Sequence, residues 1–262
     1  MANQITTNKI LADYFESVLT TNVNFDSYVT VDTSMQEQAG MTKTVYKRSV
    51  TGDVEDVTEG NGCSGAIETT RTSTDYTVTT TQGKGAYSDE EEMKDGNVKE
   101  DLLKGLAEKM ANKCVAKTVA ELAKGTLAVA FDASKIFDNF VDAVALFKEN
   151  TEAKYAFLNA KTLAKVRKNL KDALVYRTDI VLNGYVGSVC GVDLVATEAM
   201  ADDKIYIATK SAVTLFMKKG SVVETDRNID TRKNTLVARK VMLYALTDAN
   251  KVVKIDVTPV QG

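Results

Sequence analysis

The stretch TRTSTDYTVTTTQGKGAYS, residues 70–88, has the composition of a β-strand but little that favours burial. Threonine and tyrosine are typical of strands. When residues 71–82 are assigned to the two alternating faces of a strand, only Tyr76 and Val78 are substantial apolar side chains. Such a strand spans about 40 Å. Because it has no apolar face of its own, something outside it must hold it.

A second strand is predicted just upstream, at residues 43–51 (KTVYKRSVT), with the acidic, glycine-rich residues 52–68 between the two. Together they form a hairpin with a long loop. An isolated hairpin is only marginally stable in water. The hairpin is therefore predicted to lie on its own domain, to be a threonine-rich sandwich strand, or to rest on a neighbouring copy of the same protein, and we favour the last.

The bulk composition narrows the class of protein. The chain has 262 residues, 44% of them hydrophobic, and a formal charge of −3, which suits one large domain or two small ones. No apolar run reaches the roughly 18 residues of a membrane helix, and residues 1–15 lack the apolar segment of a secretory signal. The near-neutral charge argues against a dedicated nucleic-acid binder.

The chain is poor in reactive groups. It has no histidine, which removes the usual general base and His-activated nucleophiles. Cys63, Cys114 and Cys190 are odd in number and far apart, so they predict no disulfide framework and suit a reducing compartment. No catalytic, cofactor-binding or metal-binding residue is predicted. An enzyme using carboxylates such as Asp193 or Glu198 stays an alternative without paired spacing to support it.

Helices are predicted in the first two thirds of the chain. Residues 10–19 carry a helical apolar stripe, followed by an extended arm that either stays on its own subunit or crosses to another. A long helix is predicted over residues 97–124, with Asn97 and Glu100 as a capping box and Gly125 after its end. Its narrow apolar stripe comprises Leu103, Leu106, Met110, Cys114, Thr118 and Leu122.

Further segments complete an α+β order. The acidic residues 89–92 predict a solvated turn; the alternative is a carboxylate metal site, which no ligand spacing supports. A helix begins after Ser134 and ends near Asn150. A helix at residues 159–174 has one basic side, which is either solvated or faces phosphate or an acidic partner. Seven short strands are predicted after residue 176, at residues 179–183, 188–196, 204–208, 212–217, 220–225, 235–246 and 251–257.

These parts, in this order, resemble the major capsid proteins of tailed phages of the Hong Kong 97 type. The polar hairpin looks like that family's E-loop, and SDEEEMKD leads into a spine-like helix. The most specific likeness is VETDRNIDTRKNTLVARKVMLYALTDANKVVKI, residues 223–255, which is similar to that family's return from the axial to the peripheral domain. The resemblance implies an α+β fold with an N-terminal arm (1–37), an E-loop hairpin (38–88), a peripheral domain (89–129 and 221–262) and an axial domain (130–220).

What the resemblance implies for function is a structural subunit of hexamers and pentamers in an icosahedral shell around double-stranded DNA, with no membrane and no cofactor. Interface contacts are expected from Tyr46, Lys47, Arg48, Tyr76 and Val78 on the hairpin. Charge pairs between capsomers, or simply an exposed polar loop, are expected from Glu224, Asp226, Arg227, Asp230 and Arg232.

The resemblance also implies partners and leaves one alternative open. A portal protein is expected, together with a separate scaffold protein or none, because the chain begins with only a short arm. Lys47 and Lys84 lie in or near the hairpin, but no motif identifies a covalent crosslink. Assembly is expected in the host bacterial cytoplasm. The alternative is an encapsulin-like cellular shell of the same fold that encloses cargo enzymes.

Overall fold

The computed structural model describes residues 6–7, 9–22, 25–37, 39–132, 134–148, 151–173 and 187–256. The predicted α+β class is confirmed. In chain order the helices and strands are β1 (Thr6–Thr7), α1 (Lys9–Asn22), β2 (Thr30–Asp32), β3 (Thr42–Thr51), β4 (Glu68–Thr77), β5 (Thr79–Ser88), α2 (Asp89–Lys94), α3 (Val98–Leu122), β6 (Leu127–Ala130), α4 (Ile136–Ala145), β7 (Lys154–Leu158), α5 (Ala160–Ala173), β8 (Ser188–Val189), β9 (Val192–Ala196), β10 (Ile205–Thr209), β11 (Val213–Asn228), β12 (Lys233–Leu246) and β13 (Val252–Asp256).

The first sheet is built on the long antiparallel pair β11 and β12. Their register runs from Val213 opposite Leu246 to Asn228 opposite Lys233. The sheet has the order β1-β11-β12-β5, and β2 also pairs with β11. The two strands predicted at residues 212–217 and 220–225 are thus one strand, with register irregularities between Met217 and Val222. The glycine and lysines that separate the predicted strands mark those irregularities and do not end the strand.

Helix α3 packs across the first sheet. Its two ends lie close to those predicted from the sequence. Its buried side chains are Leu103, Ala107, Met110, Ala111, Cys114, Val115, Thr118 and Leu122. The predicted capping box at Asn97 is wrong, because Asn97 has φ −93° and ψ −7° and makes no side-chain cap. An N-cap side chain normally works from extended backbone. The capping box is instead at Ser88 and Glu91, where Ser88 is extended and both reciprocal hydrogen bonds form at the start of α2.

Glycines allow α3 to approach its neighbours closely. A Cβ on Gly85 of β5 would lie 2.6 Å from Leu102 Cδ1, and one on Gly83 would lie 3.0 Å from Leu106 Cδ2. After the helix, a Cβ on Gly125 would lie 2.8 Å from the Val252 side chain. Gly125 follows the helix as predicted, but its role is to make room for β13. Strand β5 can therefore be polar in composition and still hold a helix against its face.

The second sheet has the order β6-β13-β10-β7-β9-β8, and helices α4 and α5 accompany it. Its core includes Ile136, Phe140, Val166 and Ile207. The C-terminal strand β13 lies in this sheet, and the whole of β11 lies in the first sheet. The expected division into a peripheral and an axial domain stays a prediction. The chain passes from one sheet to the other through short connections, from Thr209 of β10 to Val213 of β11 and from Leu246 of β12 to Val252 of β13. The composition of the sequence does not change at these connections.

The remaining helix predictions have mixed outcomes. Helix α4 ends at Ala145, and Ser134 does not cap it, because its hydroxyl bonds Asp132 Oδ1 at 2.6 Å. Helix α5 is confirmed, with the Asn159 side chain accepting from the Thr162 N–H at 2.7 Å. The strand predicted at residues 179–183 lies outside the described residues.

The N-terminal helix lies on its own subunit. Phe15 of α1 is fully buried in the core between α1, α3 and the first sheet. Glu16 bonds Lys240 Nζ at 3.3 Å, and Lys240 is itself buried on β12. Val29 and Met35, after the helix, are also buried. These contacts favour the ordinary-helix interpretation of residues 10–37 over an arm that crosses to another subunit.

The close approach at Gly85 generates a test of how α3 is held. Gly85→Ala should lower the free energy of unfolding by about 1–2 kcal/mol, because the added methyl group meets the Leu102 side chain. Gly105→Ala is the matched control, since Gly105 is on α3 with open space around it. That variant should raise the stability by up to about 1 kcal/mol. Urea unfolding followed by circular dichroism measures both, and equal effects would contradict the packing argument.

A second test concerns Glu152, which joins the loop before β7 to Lys251. The two groups lie 2.6 Å apart. Hydrogen bonds from Lys251 and Ser211 lower the Glu152 pKa from 4.5 to about 2. A lowered folded-state pKa stabilises the fold above the unfolded-state value, and this stabilisation is lost as the pH falls towards the folded-state value.

Glu152→Gln should therefore be less stable than the parent chain at pH 7, by about 1 kcal/mol or less because the carboxylate is 41% exposed. The difference should shrink as the pH falls from about 4.5 to about 2. Urea midpoints at several pH values measure it, with the exposed Glu108→Gln as control. A difference that stays constant down to acid pH would contradict the assignment.

Candidate subunit interface

The strand predicted over residues 71–82 is divided at Val78. Upstream of Val78, β4 pairs with β3 and with no other described strand, and downstream β5 pairs with β12 of the first sheet. We call the two-stranded unit of β3, β4 and their loop the ribbon, residues 42–77. Residues 79–88 are held by their own subunit, so the prediction that a neighbouring copy holds the whole stretch is wrong for this half. It stays a prediction for the ribbon.

The ribbon is fixed to the subunit at its base. The Val78 N–H donates to the Met41 carbonyl at 2.7 Å. Val45 and Val78 are buried in a small core with Met35, Phe216, Leu243 and Ala245. Tyr76 packs against the same core and Lys124 lies 5.5 Å from its ring centroid. Burial is the main reason that the pKa of Tyr76 is raised.

Beyond this base, the ribbon is not buried against any part of the subunit that the structure describes. Every residue from Val50 to Asp75 is exposed, including large apolar side chains. The exposed fraction is 58% for Val50, 88% for Val54 and 55% for Ile67. Contacts in this part stay within the ribbon: Thr44 Oγ1 donates to Asp75 Oδ1 at 2.7 Å, and Arg71 lies 4.1 Å over the Tyr46 ring. An exposed two-stranded unit of this kind is suited to contact with another molecule.

The five predicted hairpin residues have different positions. Tyr46 is 56% exposed and lies on the unsupported part of the ribbon, where Lys47 is half-buried. The side chain of Arg48 lies outside the described part of the chain. Val78 is only 3% exposed in the single subunit, and this corrects its assignment, because it leaves no surface for a neighbouring copy. Tyr76, which is half-buried on its own subunit, has little surface to offer.

The second predicted group surrounds the turn between β11 and β12. Three of its members form ion pairs within the subunit: Arg227 with Asp89 at 2.6 Å, Arg232 with Glu90 at 3.0 Å, and Glu224 with Arg239. Charge pairs between capsomers stay a prediction for these three residues. Hydrogen bonds from Arg227 and Asn234 lower the pKa of Asp89. Asp226 and Asp230 are exposed, and the described residues offer neither an ion pair. These two stay predictions.

The acidic residues 89–92 have a structural role that the sequence indicated only in part. They form the first turn of α2, which two arginines tie to the turn between β11 and β12. No group of three or more Cys, Asp or Glu residues in the described ranges is placed to hold a metal ion. Nor does any described helix have the length and apolarity needed to cross a membrane. All three cysteines are free thiols.

The sequence reasoning missed Val50, Val54, Ile67 and Arg71 as candidate contact residues. The three apolar side chains lie in or beside a polar, glycine-rich loop. Several apolar residues in such a loop indicate a contact surface, and this signal is present in the sequence. Arg71 becomes a candidate only when the register brings it beside Tyr46.

The contrast between Val78 and Tyr46 can be tested directly. Val78→Ala should lower the free energy of unfolding of the subunit by about 1–3 kcal/mol, because it leaves a cavity in the base of the ribbon. Tyr46→Ala should change it by about 0.5 kcal/mol or less, because the ring is exposed. Thermal unfolding of the unassembled subunit measures both, and a larger loss for Tyr46→Ala would contradict the division at Val78.

The chain is similar to known proteins in sequence and in structure. No family model matches the chain. The major capsid protein of Staphylococcus phage phiMR11 is 26% identical over 257 residues, which cover 94% of this chain and 92% of that protein.

Two solved particle structures contain chains of similar fold, at lower sequence identity. The mature capsid of bacteriophage PhiM1 has a chain that superposes with a TM-score of 0.67 at 10% identity, covering 90% of this chain and 87% of that chain. The virus-like particle from Pyrococcus furiosus gives a TM-score of 0.67 at 10% identity, covering 95% and 98% of the two chains. The chain therefore has the Hong Kong 97-type capsid fold, and its sequence is similar to a phage major capsid protein along nearly its whole length.

Proposed function

We propose that this chain is a structural major capsid protein that assembles into the hexamers and pentamers of an icosahedral phage head. The observation on which this depends is the ribbon, whose residues 50–75 are all exposed although the segment includes several large apolar side chains. Exposed apolar surface of this kind marks an interaction site. Full-length similarity to a phage major capsid protein supports the same function.

The ribbon makes the contact between subunits directional. Its base belongs to the subunit core, while its unsupported part is free to lie on an adjacent copy. A contact between two different surfaces of identical chains is heterologous, and such contacts close into rings when the rotation between copies allows it. Tyr46, Lys47, Arg71 and Val50 are the residues that we assign to this contact. Asp226 and Asp230, at the turn between β11 and β12, are assigned to contacts between rings.

The remaining partners follow from the proposed role. A phage head encloses double-stranded DNA, and the basic side of α5 offers non-specific phosphate contacts through Arg167 and Lys168. Lys161 and Lys165 on the same helix are already paired, at 3.0 Å from Asp202 and 2.5 Å from Asp203. A portal protein and a separate scaffold protein are further proposed partners. Assembly takes place in the host bacterial cytoplasm, and the mature protein resides in the virion. We propose no enzymatic activity.

A cellular shell that encloses cargo enzymes is the second candidate. The fold similarity to the virus-like particle from Pyrococcus furiosus, at a TM-score of 0.67, is the observation that favours it. The sequence similarity to a phage major capsid protein favours the phage head. The contents of purified particles separate the two, because a phage head made during infection contains DNA and a cargo shell contains protein.

Removing the end of the ribbon tests the proposal. Replacing residues 53–66 by Asn-Gly, a favoured two-residue hairpin turn, should leave the free energy of unfolding of the subunit within about 0.5 kcal/mol. The reason is that this segment makes no contact with the subunit core. The variant should form few or no closed particles. Negative-stain microscopy and velocity sedimentation of the expressed protein measure assembly.

A control variant changes the length of a different exposed turn. Lengthening the turn at residues 229–232 by the dipeptide Asn-Gly should spare the formation of capsomers, even where it lowers the yield of closed particles by disturbing the contacts assigned between rings. A ribbon variant that assembles as well as the parent chain would contradict the proposed interface. A parent chain that forms no capsomers or particles at any concentration would contradict the proposed function itself.

A further inference from the structure

The base of the ribbon meets the end of α3 of the same subunit. Tyr76 is the second-last residue of β4, and Lys124 Nζ lies 5.5 Å from the centroid of its ring. Lys124 Nζ also lies 2.6 Å from Glu121 Oε1. The ammonium group is therefore placed between a carboxylate of α3 and an aromatic ring of the ribbon, and it joins the two.

The Glu121 carboxylate is in an unfavourable place. It belongs to the last turn of α3, which ends at Leu122, and the free carbonyl groups there make the helix end negative. Cations are stabilised at such an end, and Lys254 Nζ donates to the Ala123 carbonyl at 3.2 Å. Glu121 Oε2 is buried, and no described group donates a hydrogen bond to it. Because a buried acceptor without a donor is costly, a carboxylate at this position has a reason other than the stability of the helix.

Tyr76 has the opposite deficit. Its ring packs against the small core at the base of the ribbon, and the described residues offer no acceptor for its hydroxyl proton. Burial is the largest cause that raises the pKa of Tyr76, and the negative charge of Glu121 is the next. Lys124 and the Leu246 N–H act on this pKa in the opposite direction. A donor without an acceptor and an acceptor without a donor thus lie on two sides of one ammonium group.

The Lys124 side chain is able to leave this position. It is 55% exposed, whereas the Glu121 side chain is 14% exposed. An exposed ammonium group is fully hydrated when it turns into solvent, and an ion pair with one exposed partner is worth little. The enclosed carboxylate then needs another donor. The Tyr76 hydroxyl is the neighbouring group that can supply it.

We propose that Glu121, Lys124 and Tyr76 form a latch with two positions at the base of the ribbon. In the position seen in this structure, Lys124 lies between the Glu121 carboxylate and the Tyr76 ring. In the second position Lys124 extends into solvent, and the Tyr76 hydroxyl donates a hydrogen bond to Glu121 Oε2. Each position forms one interaction with the carboxylate charge and gives up another, so their free energies are close and both are populated.

The latch changes the direction of the ribbon, because Tyr76 belongs to β4. When the ring moves towards the end of α3, the strand that carries it is drawn the same way. The inference rests on the proposed function in one respect: a chain that builds both hexamers and pentamers must direct its ribbon at two angles. Glu121 and Lys124 are then positioning residues, which act on a neighbouring subunit through the ribbon.

The direction of the ribbon can be measured in the unassembled subunit. One spin label is placed on the ribbon at Thr70→Cys, and the other on the exposed side of α3 at Lys104→Cys. Cys63→Ser and Cys190→Ser remove the accessible native thiols, and the buried Cys114 is kept. Double electron–electron resonance should give two separate distances in this labelled parent chain, one for each position of the latch.

Two substitutions should move the populations in opposite directions. Tyr76→Phe removes the hydroxyl and keeps the ring, so it should lower the population at the second distance by about tenfold, since a hydrogen bond to a charged group is lost. Lys124→Met removes the ammonium group and should raise that population by about threefold or more. Lys113→Met is the matched control, because Lys113 is exposed on the same helix and the described residues offer it no ion pair. It should leave both populations unchanged, and circular dichroism verifies that each variant is folded.

A single distance in the parent chain, unchanged by either substitution, would overturn the inference and leave the proposed function intact. A shift of both variants in the same direction would also overturn it. In that case the Lys124 ammonium group and the Tyr76 hydroxyl would support the same position of the ribbon.

Assembly is the second readout. Tyr76→Phe should lower the ratio of closed particles to open sheets and tubes by about tenfold in negative-stain images, because a closed shell needs both kinds of ring and the loss repeats at every contact. Normal closure together with altered distances would overturn the link between the latch and the two rings. A parent chain that never assembles would contradict the proposed function, whatever distances the spin labels give.

Discussion

The burial of Val78 is the constraint on which the shape of the subunit depends. On one side of Val78 the chain is a strand of the first sheet, bonded to β12 and covered by α3. On the other side, β3 is the one described strand that it pairs with, and the residues from Asp75 back to Val50 are exposed. The small core around Val78, Val45 and Phe216 joins the ribbon to the first sheet. Without it, a marginal two-stranded unit would have no fixed direction.

The same sequence stretch is stabilised in two different ways. Residues 79–88 are as polar as the ribbon, yet they are held because glycines and threonines let α3 lie against them. Backbone pairing with β12 over ten positions supplies the rest. In the ribbon, β3 and β4 pair with each other, and no described strand or helix covers either face. Local composition is therefore a poor guide to which half needs a partner, because the difference comes from a helix that follows in the chain.

Much of the fold could be predicted from the sequence, because its longest elements have strong periodicity. The spine-like helix, the basic helix and most of the strands after residue 187 lie close to their predicted positions. The division at Val78 could not be predicted, since it depends on tertiary contacts with Phe216 and Leu243. The capping box was assigned to Asn97, although Ser88 and Glu91 fit the same pattern. The choice between them depends on backbone angles that the sequence does not encode locally.

The candidate site was harder to predict than the fold. Tyr46 could be found from its position on a polar strand, and it is exposed. Arg227, Arg232 and Glu224 have the composition of an interface loop, but each has an acidic or basic partner in its own chain. A groove between β5 and α3, lined by Thr80, Lys109 and Lys113 among others, combines residues about thirty positions apart. Only the packing of these two elements brings them together.

The attachment at Val78 lies at one end of a long ribbon, so a small change of angle at the base is amplified at the far end. Since its strands are ten residues long, a rotation of about 10° at the base would carry the far end by about 6 Å. That distance is about one helical turn, or four residues along a row of side chains. A small repacking around Val78 would therefore move the far end of the ribbon onto a different set of contacts, with no change inside either sheet.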